Sequence, residues 1–327
     1  MEPQQTEKRS PNWNMIIRVG GTILALGLMV YLLSQQDWDE IREAVGNIEI
    51  WRFVAAVFLI FCSRFFYIAR WHMLLRSSDI PVSFGESTRL TFAGLFASNF
   101  LPTTVGGDVV RLAGCVQKGF DGVFSAASLL MDRLVGMAGM ALILPFGIVP
   151  LLGSETTLQT WQPEIRFVAA LPAVLGKWVK TAQEKALELL RHIWEAVILW
   201  KDQPQGVLAA FSFTCMHMVS IVLCFYLLLA GMGEEISPFL VAGLWSVVYF
   251  VTLLPISING LGVQEASFYS LFVNLGGVSP ESALTLAFVY RLIMMFASLP
   301  GALFVSSLLP NARKRATKAP ASEEESM

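Results

Sequence analysis

The sequence predicts an all-α, polytopic membrane helical bundle of about eight spans, and three observations predict it. Hydrophobic residues make up 55% of the 327 residues and charged residues only 15%, with a mean hydropathy of +0.60; a soluble domain carries about 25% charged residues. The apolar residues gather into runs close to the ~20 residues that a helix needs to cross a bilayer core. Two of the runs are broken by Leu-Pro and glycine at matching places, which predicts two pseudo-repeats. The same composition argues against a soluble enzyme, a nucleic-acid binder or a disordered chain. A formal net charge of −2 gives no sign of a polyanion-binding surface.

Residues 1–14 are polar and read as a cytoplasmic N-terminal segment, and residues 15–309 read as a single transmembrane domain. Met15 to Leu33 is the first apolar run; Lys8 and Arg9 precede it, but no A-x-A-like site follows, so it reads as an uncleaved span. Trp51 to Leu75 is the second, unusual in holding Arg64, Arg70 and His72. Phe84 to Leu101 is the third, ending at Pro102, and Val123 to Val149 the fourth. Residues 150–204 are more polar. Within them Gln183 to Lys201 places Leu187, Leu190, Trp194 and Val197 on one face of an amphipathic helix suited to the interface, while Phe167 to Leu175 is too brief to span. Val207 to Leu229, Phe239 to Leu254, Val263 to Leu275 and Ala283 to Leu309 complete eight runs. Residues 310–327 form a basic-then-acidic tail expected to be disordered. Basic residues concentrate in the N-terminal stretch, in residues 150–204 and in the tail, which fits both termini in the cytoplasm of a prokaryote bounded by this inner membrane. Residues 90–118 read either as a crossing or as a re-entrant hairpin, and the parity depends on which.

The two breaks run Leu101-Pro102-Thr103-Thr104-Val105-Gly106-Gly107-Asp108 and Leu254-Pro255-Ile256-Ser257-Ile258-Asn259-Gly260-Leu261-Gly262, 153 residues apart. An arginine follows each, Arg133 and Arg291. Proline removes a backbone donor and glycine frees the backbone. Interrupted backbone at membrane depth survives only where protein or a wet cavity satisfies it. Paired interruptions in corresponding halves mark a transporter's substrate site, although two unrelated helix ends give the same pattern.

Arg64, Arg70, Asp108, Arg111, Asp132, Arg133, Glu265 and Arg291 lie in or beside apolar runs. Each costs about 3 kcal/mol or more at the bilayer centre, so each needs a partner, a cavity or an escape to the interface. Asp108 and Arg111 stand i, i+3; Asp132 and Arg133 are adjacent and must find different partners. Five arginines against three acids leave two positive charges. Arginine stays charged in a low-dielectric site and binds phosphate bidentately, so the pattern suits an anionic headgroup or lipid-linked phosphate; interhelical ion pairs with snorkelling arginines suit it equally. The cluster Phe65, Phe66, Tyr67 and Trp71 reads as interfacial belt and packing. Cys62, Cys115, Cys215 and Cys224 form no CxxC, and His72, His192 and His217 form no HxxxH or HxH pair, so no metal or cofactor is expected. No nucleophile elbow or P-loop occurs, and Gly260-Leu261-Gly262 opens no strand–helix unit, so the chain is not expected to be an enzyme.

Arg70-Trp71, Asn99-Phe100-Leu101-Pro102 with Gly106-Gly107-Asp108-Val109-Val110-Arg111, Asp132-Arg133-Leu134-Val135-Gly136, Pro255 with Asn259-Gly260-Leu261-Gly262-Val263-Gln264-Glu265, and Arg291 together resemble the flippase-like family that includes the transmembrane region of lysylphosphatidylglycerol synthase. The resemblance covers about residues 15–308. It implies an inner-membrane bundle that moves a lipid or lipid-linked molecule between leaflets, with the polar motif residues at Asp108, Arg111, Asp132, Arg133, Glu265 and Arg291. Asn259 stands where glycine is expected in many relatives. No soluble aminoacyl-transfer domain follows Leu309, so this chain is not expected to make an aminoacylated lipid itself.

The reading is therefore transbilayer movement of an anionic phospholipid or lipid-linked phosphate through an arginine-lined cavity. Its substrate-binding residues are Arg64, Arg70, Asn99, Asp108, Arg111, Asp132, Arg133, Glu265 and Arg291, and its backbone breaks Pro102, Gly106, Gly107, Pro255, Gly260 and Gly262. Arg111, Arg133 and Arg291 would hold the headgroup while Asp108, Asp132 and Glu265 position them. The partners are a membrane lipid and a separate lipid- or glycan-synthesis enzyme, with no nucleic acid. Two alternatives stand beside it: a membrane-embedded enzyme acting on lipid phosphates, with Asp108, Asp132 or Glu265 as base, and a non-transporting subunit of a lipid or glycan synthesis complex.

Overall fold

The computed structural model describes Arg42 and residues 46–77, 80–100, 106–153, 200–201, 203–253 and 260–305. Among them the regular structure is all α-helical: α1 (Ile50–Ser77), α2 (Phe84–Phe100), α3 (Gly106–Gln117), α4 (Gly122–Ile143), α5 (Pro145–Gly153), α6 (Pro204–Gly231), α7 (Pro238–Thr252), α8 (Val263–Asn274) and α9 (Pro280–Ser298). The run Met15 to Leu33, the stretch Phe167 to Leu175, the amphipathic stretch Gln183 to Lys201 apart from its last two residues, the tail, and both break prolines, Pro102 and Pro255, lie outside the described residues.

Local chemistry sets the helix ends. Ser83 and Glu86 form a capping box at α2, with Ser83 N–H donating to Glu86 Oε2 at 3.0 Å and Glu86 N–H to Ser83 Oγ at 3.2 Å. Asp121 accepts from the Val123 and Phe124 amides to start α4. Pro204, Pro238 and Pro280 open α6, α7 and α9, where a missing N–H costs nothing. Pro145 also divides the run Val123 to Val149, read above as one span, into α4 and α5, because it cannot continue the α4 ladder.

Among the described residues, four helices are long and apolar enough to cross a membrane: Ile50–Ser77, Gly122–Ile143, Pro204–Gly231 and Pro280–Val305. Three other runs read above as spans form helices of 17, 15 and 12 residues, α2, α7 and α8. At 1.5 Å per residue these reach about 18–26 Å, short of a ~30 Å hydrocarbon core. Instead α2 pairs antiparallel with α3, and α7 with α8. At the closed end of the first hairpin Gly107 lies against Ser98 and Gly94, where a Cβ would collide; at its open end Lys118 Nζ meets Glu86 Oε1 at 2.9 Å. Both ends of the first hairpin thus lie together, so α2 and α3 form an antiparallel hairpin. The second hairpin repeats this: Gly260 lies beside Thr252 at the closed end, and Ser279 Oγ donates to Glu234 Oε1 at 2.6 Å at the open end.

The order long helix, short helix, break, 12-residue helix, long helix occurs twice, as α1–α4 and α6–α9. The equivalent 28-residue helices α1 and α6 pack along their length and run antiparallel: Ser77 lies against Gly206, Ser63 against His217, and Arg52 against Gly231. Since each hairpin follows the C-terminal end of its long helix, the two hairpins enter from opposite sides. The repeat is therefore inverted. The halves also clasp each other symmetrically. Asn99 of α2 donates to Ser298 Oγ of α9 at 2.8 Å, and Ser246 of α7 donates to the Met140 carbonyl of α4 at 2.7 Å. Phe58, Val123, Leu142, Leu208, Phe239, Leu292 and Leu303 face outward, as lipid-facing positions should. The chain is a multi-pass integral membrane protein.

Candidate functional site

Asp132 of α4 is the centre of a buried charge network in the first half. Its Oδ1 accepts from Arg70 Nε at 2.6 Å, and its Oδ2 from Arg111 Nη1 and Nη2 at 3.3 and 3.4 Å. Arg111 Nη1 also lies 3.3 Å from Asp108 Oδ1 and from the Tyr67 hydroxyl. Its guanidinium sits 3.9 Å over the Trp71 ring, while Arg70 lies 4.8 Å over Tyr67. Two glycines make the space: a Cβ at Gly136 would meet the Arg70 guanidinium, and one at Gly94 the Arg111 side chain. Arg70, Arg111 and Asp132 are almost wholly buried. Three such ions in an apolar bundle persist because each is paired. Arg133, adjacent to Asp132 but on another face of α4, donates through Nε to Asp108 Oδ2 at 2.6 Å and keeps a side chain that is 48% exposed.

The second half carries one matching pair. Asp108 and Glu265 are each the third residue of the 12-residue helix after a break, and Arg133 and Arg291 each the twelfth residue of the following long helix. Arg291 is hydrogen-bonded to Glu265 and donates to Gln264 Oε1 at 3.2 Å. Glu265 Oε2 also accepts from the Gly262 amide at 2.8 Å, holding the positive-φ turn of Gly260 and Gly262 that precedes α8. The other first-half charges have no counterpart. At the positions of Arg70, Arg111 and Asp132 the second half has Cys224, Phe268 and Tyr290. Phe225, Trp245, Phe268 and Tyr290 pack edge-to-face and stacked there, with Phe225 and Tyr290 centroids 4.8 Å apart. One half of the bundle thus has an ionic centre and the other an aromatic one.

A cavity of about 250 Å³ opens between the halves. Arg70, Asp108, Asp132, Arg133 and Gly136 line it from the first half, with Tyr67 and Ser98; His217, Met218, Tyr249 and Leu253 line it from the second. The tips of both hairpins meet here, at Ser98 and Asp108 and at Tyr249 and Leu253. His217 Nδ1 is 2.8 Å from Ser63 Oγ and 3.1 Å from the Ser63 carbonyl. A carbonyl only accepts, so Nδ1 carries a proton and donates to Ser63. Two guanidiniums, Arg70 and Arg133, line the cavity against two carboxylates, Asp108 and Asp132, and Arg111 lies behind the wall against Asp132.

Four of the nine residues singled out from the sequence therefore line the cavity, and Arg111 braces its wall. Asn99 turns away to α9, the Glu265–Arg291 pair is enclosed elsewhere, and Arg64 lies on the far side of Tyr67. Tyr67, Ser98, His217 and Tyr249 were not singled out. Tyr67 is hidden in an aromatic run, and His217 has no partner at metal spacing; only the matched helix positions of the two halves would have raised His217, which stands opposite Ser63.

A family model described as the lysylphosphatidylglycerol synthase TM region matches residues 18–301. A UPF0104 membrane protein of Archaeoglobus fulgidus is 22% identical to the chain over 274 residues, covering 75% of this chain and 81% of that protein.

Proposed function

The chain belongs to the lysylphosphatidylglycerol synthase TM region family, and from that premise we propose that it moves an anionic phospholipid or lipid-linked phosphate across a prokaryotic inner membrane. The observation that carries this reading is the polar cavity, lined by Arg70 and the half-exposed Arg133, at the meeting point of two oppositely entering hairpins. Arg133 is the group free to exchange partners. Its exposed guanidinium trades Asp108 for a phosphate oxygen pair, a bidentate geometry that arginine suits. Arg70 and Arg111, both paired with Asp132 and fixed over aromatic rings, act as positioning residues that keep Asp108 and the cavity wall in place. Tyr67, Tyr249 and His217 supply hydroxyl and imidazole contacts for the rest of the headgroup, while acyl tails stay in lipid. Exchange of conformation between inverted halves turns the cavity from one leaflet to the other. No covalent step is proposed. Native mass spectrometry of the purified protein tests the binding half of this reading: an anionic, phosphate-bearing lipid should co-purify with the wild type and be lost from Arg133→Ala. Retention of the same lipid by Arg133→Ala would refute the assignment of Arg133.

A further inference from the structure

We propose that Arg64 is a midplane station for the phosphate anion, a second binding point between the cavity and the opposite half; the inference rests on the transport reading above. Ser63 and His217 are the fourteenth residues of the two 28-residue helices, and they touch. The antiparallel pair therefore crosses at its centre, and the pseudo-two-fold relating the halves passes through that contact. Arg64 is the next residue. A 28-residue helix is about 42 Å long, so Arg64 sits near the middle of the hydrocarbon core, where a guanidinium is most costly.

The other two buried arginines among the described residues, Arg70 and Arg111, have the carboxylate of Asp132, and the half-buried Arg291 has that of Glu265. Arg64 is 6% exposed, its Nε has no hydrogen-bond partner, and its Nη2 reaches only the sulfur of Met294, at 2.7 Å. Helix packing does not require it. The fifteenth residue of α6, its equivalent across the pseudo-axis, is Met218, buried to the same degree in the same helix pair. Its place along the bundle gives the charge a use. One turn along α1 is Tyr67, which lines the cavity and accepts from Arg111. One turn back along α9 from Met294 is Arg291, paired with Glu265. Arg64 thus stands between the first-half pair Asp108–Arg133 and the second-half pair Glu265–Arg291, able to take an anion from one side and release it to the other. The chemistry it fits is a phosphate or phosphodiester anion, borne by a lipid or free.

The test uses full-length protein in vesicles, with Arg64→Met as the volume-matched neutral variant and Arg64→Lys as the charge-keeping one. Two fluxes are read: transbilayer movement of a fluorescent phosphatidylglycerol and uptake of inorganic phosphate. Arg64→Met should slow one flux about tenfold or more, Arg64→Lys should restore part of it, and the melting temperature of Arg64→Met should stay level or rise, because an unpaired buried charge has been removed. Loss of the lipid flux identifies a lipid phosphodiester; loss of the phosphate flux identifies the free ion. Wild-type fluxes in Arg64→Met overturn the station while leaving lipid transport standing. A lowered melting temperature in Arg64→Met without rescue by lysine also overturns it, in favour of a structural arginine. If the wild type moves neither substrate, the transport reading fails and the station falls with it.

Discussion

Asp132 accepts hydrogen bonds from two guanidiniums that have almost no access to water, so removing its charge leaves Arg70 and Arg111 with only the partly exposed Asp108 nearby. Breaking a buried pair by deleting one partner costs about 3–5 kcal/mol. Asp132→Ala should therefore lower the unfolding midpoint sharply, in a thermal or denaturant titration of the detergent-solubilised protein. Arg133, its neighbour in sequence, should behave in the opposite way. Its pair with Asp108 is half exposed, which limits its contribution to under about 1 kcal/mol, so Arg133→Ala should keep the midpoint and lose lipid binding. A charged hydrogen bond is worth about 1.5–3 kcal/mol, or roughly tenfold and upward in affinity. The adjacency of these two residues was legible in the sequence, and so was their need for different partners. Which of them is buried was not, because that depends on the rotation of α4 against α1 and α3. Arg111, read as a headgroup ligand, lies buried over Trp71 and paired with Asp132, a setting that depends on the same rotation.

At the scale of the helices, the hairpins rest on glycines. Gly94 and Gly107 let α2 and α3 approach until backbone meets backbone. Gly107→Ala forces a methyl into Ser98 and the Gly94 carbonyl and should cost roughly 1–3 kcal/mol by overpacking. In the second hairpin the constraint is conformational. Gly260 and Gly262 hold φ of 69° and 76°, so Gly260→Ala should cost about 1 kcal/mol through backbone strain alone. Stability measurements that find both substitutions neutral would contradict the tight closure of these tips. The apolar runs and both breaks were visible from Leu-Pro and glycine. Hydropathy could not show that α2, α7 and α8 turn back, since a lone apolar helix and one arm of a hairpin have the same composition. Length was the available signal: runs of 12 to 17 helical residues are too short to span.

For the whole molecule, the offset between the two breaks showed a repeat, but its inversion appears only once α1 and α6 are seen to run antiparallel, with Ser63 opposite His217. Inversion has a consequence for access. Lys118 and Glu235 are exposed at the open ends of the two hairpins, which enter from opposite sides. In a protein freed of its four cysteines, Lys118→Cys and Glu235→Cys should label preferentially from opposite faces of sealed vesicles; labelling of both from the same face would contradict the inverted arrangement. The aromatic cluster around Phe225 and the ionic network around Asp132 make the halves chemically unequal. The claim that joins these scales is that an anionic lipid crosses the bilayer by way of the cavity at Asp108 and Arg133. Leaflet-resolved movement of a fluorescent phosphatidylglycerol in proteoliposomes, compared between wild type, Arg133→Ala and protein-free vesicles, tests it most directly. Movement is expected with the wild type, and rates near the protein-free background with Arg133→Ala. Equal movement with wild type and Arg133→Ala, or none with the wild type, would contradict it.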